Sequence, residues 1–309
     1  MRGLVMSGGG VKGAFQAGVL EKLCREDPTL DYGFISGVSV GAINALMVAQ
    51  HQKLENAVKG LMQLWPDIET KDVRRKFKLW PPNISWLGPF RLFFQDGLYD
   101  TTPLLQLIEK NYNPEGLAQG GKILRLGIAE KTTGQYFEIT EKDDNIPQWA
   151  LASASFPLAL VSQIGDEGVY TDGGLIHITP LKSAIMQGCT KIDVILTGPL
   201  YTPKVKKEEI LNVVSSGKRS LDIMASAIWR NDFKICHLIN QLAENGHDKY
   251  RKIDVTVYAP KSSILRKGVG DLDFIPKDIR KMIDLGRGVE GVSLEEFLDA
   301  EPHVIPKSL

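Results

Sequence analysis

The stretch Phe34-Ile35-Ser36-Gly37-Val38-Ser39-Val40-Gly41-Ala42-Ile43-Asn44-Ala45-Leu46-Met47-Val48-Ala49 decides how this chain folds. Its first five residues read as a short buried strand, and Val40–Ala49 as an apolar helix that follows at once. Ser39 therefore falls on a strand-to-helix turn. With Gly37 and Gly41 it matches Gly-x-Ser-x-Gly, in which small neighbours permit a tight bend that lifts the serine hydroxyl above the sheet edge. The N-terminus of the helix beside it favours negative charge developing there during acyl transfer. These residues alone support two readings: a nucleophile elbow, or a glycine-flanked serine that caps a helix.

Upstream, Gly3–Ser7 reads as a strand, Gly8-Gly9-Gly10-Val11-Lys12-Gly13 as a glycine loop, and Ala14 to about Arg25 as a helix. Downstream, a helix runs from Leu54 to Trp65, where Pro66 helps to stop it. Residues 74–94 turn basic, aromatic and proline-rich and read as an insertion. Thr102 then caps a helix with Pro103 at its first position, running to about Tyr112. Ile123–Ala129 and Tyr136–Thr140 flank Thr132-Thr133-Gly134-Gln135 and predict a hairpin. Strands are further expected at Val169–Thr171, Ile192–Thr197 and Ile253–Tyr258, with helices at Leu181–Gln187, at Lys207–Asn245 with a break, and at Lys277–Leu285. Strands alternating with helices imply an α/β fold: a mostly parallel sheet covered on both faces.

The first glycine loop fits two templates. As Gly-x-Gly-x-x-Gly between strand and helix it could hold a dinucleotide pyrophosphate, but that fold wants an acid at the end of the second strand. Asp31 lies before that strand, and Gly37-Val38-Ser39 occupies its far end. A phosphate loop of the Walker type fails because Ala14 and Phe15 stand where Lys and Ser/Thr are required. The second template is an oxyanion hole, with the backbone N–H groups of Gly8, Gly9 and Gly10 turned toward a carbonyl attacked by Ser39. Lys12 either adds positive potential there or is a solvated lysine of the first turn.

A serine needs a base. The five histidines, His51, His177, His237, His247 and His303, have no companion motif. Asp172 ends the extended Gly168-Val169-Tyr170-Thr171 and precedes Gly173-Gly174, so the backbone can turn away and leave the carboxylate projecting, or simply turn.

The 309 residues are 43% apolar and 24% charged, the composition of a folded globular protein. Lys+Arg and Asp+Glu both total 37, so no global field recommends nucleic acid as a partner. Three cysteines without Cys-x-x-Cys pairing suggest a reducing compartment. Leu4-Val5-Met6 before Ser7 falls short of a secretion signal, and no run is long enough to span a membrane. The expected location is cytoplasmic, peripheral at a membrane surface if the insertion docks there. Arg74, Arg75, Lys76, Lys78 and Arg91 interleave with Phe77, Trp80, Trp86, Phe90, Phe93 and Phe94, a pattern that suits either peripheral docking or a lid packed on the core.

Together, Gly-Gly-Gly-x-Lys-Gly, Gly-x-Ser-x-Gly about 25 residues later and Asp-Gly-Gly more than 100 residues beyond resemble the patatin-like phospholipases. Ala152-Ser153-Ala154-Ser155-Phe156-Pro157 resembles the segment which that family places upstream of its aspartate. The resemblance covers roughly residues 3–200. It implies a three-layer fold over a single domain 1–309, with a lid or insertion at 74–94 and a C-terminal extension at 201–309. It also implies lipid acyl hydrolysis without metal or organic cofactor, on a lipid or phospholipid substrate. Ser39 is then the nucleophile, Asp172 the base of a Ser-Asp dyad and Gly8, Gly9 and Gly10 the oxyanion hole, with Lys12, Gly13, Gly37, Gly41, Gly173 and Gly174 completing the motifs. His177 stands where the family commonly has asparagine, which leaves two outcomes open: the orientation of Asp172 differs there, or His177 supplies the hydrogen bonds of that asparagine. Oligomeric state is left open.

Overall fold

The computed structural model describes residues 1–76, 97–165, 168–199, 204–247, 249–265 and 270–299. Twelve strands are seen among them: β1 (Arg2–Met6), β2 (Phe34–Val38), β3 (Arg75–Lys76), β4 (Gly97–Asp100), β5 (Ile123–Glu130), β6 (Gln135–Thr140), β7 (Leu158–Leu160), β8 (Gln163–Ile164), β9 (Val169–Asp172), β10 (Lys191–Ile195), β11 (Asp254–Tyr258) and β12 (Gly291–Ser293). The main sheet runs β12-β11-β10-β1-β2-β5-β9-β8, with β6 also on β5. Pairing is parallel from β11 through β10, β1 and β2 to β5, while β12, β6, β9 and β8 join antiparallel at the margins.

Alternation along the strands divides the interior. Leu4, Met6, Ile35, Leu124, Leu126 and Ile195 face one core, whereas Val5, Phe34, Ile192, Val194, Val255 and Val257 face another. Successive side chains of a strand point to opposite faces, so continuous apolar strands such as Leu4-Val5-Met6 require cover on both sides. On the first face lie α1 (Gly13–Glu26), α2 (Val40–Ala49), α3 (Leu54–Leu64) and the helices Thr102–Asn111, Ile146–Ser153 and Pro276–Arg287. The second face is covered by Leu181–Met186, the long helix Val213–Glu244 and Leu294–Asp299. This is the three-layer α/β architecture.

The expected elements are present, several with shifted ends. The helix expected after Thr102 takes Thr101 as N-cap instead, because Asp100 Oδ1 accepts the Thr102 N–H at 2.9 Å and draws that residue into the first turn. The break near Lys207 is a single 3-10 turn, Lys207–Ile210, ahead of the long helix. Of the proposed insertion, Arg75–Lys76 pairs with β4 in a small second sheet, β3-β4-β7. Phe77 to Phe94, with both tryptophans, lie outside the described residues. Among the described residues no helix is long and apolar enough to cross a membrane.

Candidate active site

Register on β5 decides where the two motif strands end. β2 runs parallel along the first half of β5, closing with Val38 opposite Gly127. β9 runs antiparallel along its second half, closing with Asp172 opposite Ile128. β6 takes the other edge over Arg125–Glu130. So β2 and β9 lie end to end on one edge of β5, and their opposite directions bring both C-terminal ends together. Ser39 and Asp172, 133 residues apart in sequence, meet at that junction.

Ser39 bridges β2 and α2 with φ 58° and ψ −129°, a conformation that a non-glycine residue adopts at a cost of ~1–3 kcal/mol. The bend demands glycine beside it: a Cβ on Gly37 would lie 2.1 Å from the Gly41 carbonyl oxygen. The Ser39 side chain makes no capping bond to α2. Its hydroxyl lies beside the Asp172 carboxylate and favours that group's charged form. Asp172 Oδ1 accepts the Gly174 N–H at 2.8 Å. Burial outweighs the Gly174 bond and the nearby Ser39 hydroxyl and pushes the Asp172 carboxyl up to about 6.

The Gly8–Gly13 loop lies against this pair: a Cβ on Gly8 would come within 3.0 Å of Ser39 Cβ. Gly8 N–H donates to the Ile178 carbonyl at 3.2 Å and Val11 N–H to the Asp271 carbonyl at 2.8 Å. Among the described residues the N–H groups of Gly9 and Gly10 meet no acceptor, which makes them the open donors of the loop. Gly10 has φ 57°, and a Cβ there would strike the Asp271 carbonyl at 2.2 Å. Lys12 is not a solvated lysine. Burial alone would lower the pKa of its ammonium, but the Asp271 carboxylate 2.8 Å away raises it and keeps it charged.

A buried polar network that the sequence did not reveal holds the loop. Thr197 Oγ1 donates to the Gly8 carbonyl, and Gln16 Nε2 to the Ser7 carbonyl at 2.8 Å. Asn44, the one polar residue inside the apolar α2, donates to Gln16 Oε1 at 2.9 Å and to the Gly13 carbonyl at 3.1 Å, and accepts the Trp65 indole N–H at 3.0 Å. An asparagine inside an apolar run was the only available signal.

No described histidine borders the cavity beside Ser39. The His177 ring packs edge-on against Tyr136 at 4.8 Å rather than bonding Asp172, so the asparagine-like role is not what its side chain does. Asp31 pairs with Lys122, away from the glycine loop, and no acid ends β2 as a dinucleotide ribose would need. Arg74 turns inward onto the Asp273 carboxylate at 2.8 Å and the Tyr99 ring at 3.9 Å. A cavity of about 1300 Å³ opens in front of Ser39, Asp172 and Gly8–Gly10, walled by apolar side chains such as Ile43, Met47, Trp65, Leu104 and Ile108 on one side and Met224 and Ile228 on the other.

The family model described as patatin-like phospholipase matches residues 4–185, more than half of the chain. Solved structures similar to the chain include VipD from Legionella pneumophila, 15% identical, with a TM-score of 0.46 and an alignment covering 97% of this chain and 67% of that one. No curated protein matches the sequence.

Proposed function

The chain belongs to the patatin-like phospholipase family, lipid acyl hydrolases as a group, and from that premise we propose that it cleaves acyl esters of lipids with Ser39 as nucleophile and Asp172 as general base. The observation carrying this reading is that Ser39 and Asp172 meet at the junction of β2 and β9, in the wall of a large apolar cavity.

Ser39 Oγ attacks the ester carbonyl while its proton passes to Asp172. An ordinary aspartate, with a pKa of ~3.9, would be a weak base for this step, and the rise to about 6 brings it nearer to neutral pH. The negative charge on the carbonyl oxygen is received by the N–H groups of Gly9 and Gly10 and by the N-terminus of α2, while the engaged Gly8 amide sets the loop. Collapse expels the alcohol, which takes the proton from Asp172 and leaves Ser39 acylated. Water, deprotonated by Asp172, then attacks the acyl-enzyme, and the proton returns to Ser39 as the fatty acid departs. The cavity exceeds the roughly 300–1,000 Å³ of sites for drug-sized ligands, in keeping with a lipid.

Peripheral contact with a lipid surface belongs to the same reading. Besides the aromatic stretch of the insertion, Leu221 and Met224 line the cavity and yet are 42% and 53% exposed, which suits lipid passing from an apolar surface. The test is a fluorophosphonate probe with identification of the labelled residue, alongside fatty-acid release from phospholipid. Labelling at Ser39 and a dead Ser39→Ala variant are expected; an active Ser39→Ala protein overturns the assignment.

A further inference from the structure

Neither Ser39 nor Asp172 is held at the junction of β2 and β9 by the sheet alone, because both strands stop there. What crosses the junction is the last turn of the helix Ile146–Ser153 with the two residues after it. Ser39 N–H donates to Ser153 Oγ at 2.9 Å, and Ser153 Oγ–H donates to the Gly127 carbonyl at 2.6 Å. Two residues on, the Ser155 carbonyl accepts the Asp172 N–H at 3.2 Å and the Thr171 hydroxyl at 2.7 Å. One short segment thus grips the backbone of both reacting residues.

The hydroxyl of Ser153 is inserted between the end of β2 and the β5 residue that faces it. It is fully buried, and its one proton and one of its lone pairs are both used. A methyl in its place would leave the Ser39 N–H and the Gly127 carbonyl unpaired out of reach of water. The bend at Ser39, with its positive φ, would lose the bond that opposes its relaxation. Oγ is carried on that bend, so a shift of a few tenths of an ångström in the backbone moves it off Asp172.

We propose that Ser153 is a positioning residue for the hydrolysis, its hydroxyl holding the Ser39 backbone in the bend from which Oγ reaches Asp172. The inference rests on the Ser39–Asp172 reading. It requires Ser153 to act on the chemical step and not on lipid binding, since Ser153 does not line the cavity.

The test is steady-state hydrolysis of a soluble acyl ester, with kcat expressed per active site titrated to completion by fluorophosphonate, so that any unfolded fraction is removed from the comparison. Ser153→Ala is expected to lower kcat per site by about 10- to 100-fold, the scale of an ångström-sized misplacement of a reacting group, with KM within about twofold of wild type. Ser153→Thr keeps the hydroxyl and is expected to stay within about threefold, and it decides the matter if the alanine variant does not fold. Asn240→Ala, which removes another buried polar side chain, bonded to the Ile253 backbone at the opposite end of the parallel strands, should leave kcat per site unchanged. Wild-type kcat in Ser153→Ala, a change confined to KM, or a threonine variant as impaired as the alanine variant each overturns the proposal. If the probe labels a residue other than Ser39, the dyad reading falls instead, whatever Ser153 does.

Discussion

In the proposed dyad Asp172 meets two demands at one residue: it must be buried enough to become a useful base, and that burial costs stability. Its folded pKa, about 6, lies above the ordinary carboxylate value, so as pH rises the unfolded chain gives up this proton first. The penalty begins near pH 4, grows through about pH 6 and is constant above, reaching on the order of 2–3 kcal/mol. Asp172→Asn should therefore abolish hydrolysis while raising the melting temperature at pH 8 but not at pH 4; equal or lower stability at pH 8 would show that burial of the charge is not costly. For the wild type, kcat/KM should fall tenfold per pH unit below about 6 and level off above, as one essential group is protonated. A profile flat down to pH 4.5 would mean that Asp172 keeps an ordinary pKa and that its burial does not tune it.

At the scale of elements, α2 does more than fill the core. Its N-terminus follows directly on Ser39, and one turn on, Asn44 ties α1, the glycine loop and Trp65 together. Asn44→Ala leaves the Gln16 side-chain oxygen and the Trp65 indole N–H buried without these partners, costing about 2–4 kcal/mol. A fall of roughly 5–10 °C in the thermal midpoint is expected, and no change would mean that the network is dispensable. The long helix Val213–Glu244 plays the opposite part. It packs Trp229, Phe233 and Cys236 on the sheet and leaves Leu221 and Met224 half in the open beside the cavity. Replacing both by Ser should weaken vesicle binding roughly tenfold, from the apolar area withdrawn, while sparing hydrolysis of a soluble ester. Equal loss on both substrates would assign these side chains to the cavity wall alone.

Across the whole molecule, the motifs end near residue 185, but the fold that carries them does not. β11 extends the sheet beyond β10, and Trp229, Phe233, Val255 and Val257 close the second core over Val5, Phe34 and Val194. The Asp271 backbone and carboxylate meet the glycine loop, and Phe274 stacks on Trp65 at 6.3 Å. We propose that the chain works as one unit, so a protein ending at Gly198 should lack a cooperative thermal transition and show no labelling at Ser39. A folded, reactive truncation would make the remainder an independent appendage.

By itself the sequence determined the elements around the glycines. The strand and helix ends at Val38 and Val40 were legible because periodicity and a glycine-flanked turn are local, and the order of the three motifs carried the family. The parallel sheet also followed from alternation of strands and helices. Only the tertiary structure decided that β2 and β9 meet end to end on β5, which sets Ser39 against Asp172 and brings Ser153 and Ser155 between them. Register between strands far apart in the chain depends on how side chains pack across the sheet, and no local pattern encodes it. Lys12 shows the same limit: its partner, Asp271, comes from the far end of the chain, and its pairing is a product of packing alone.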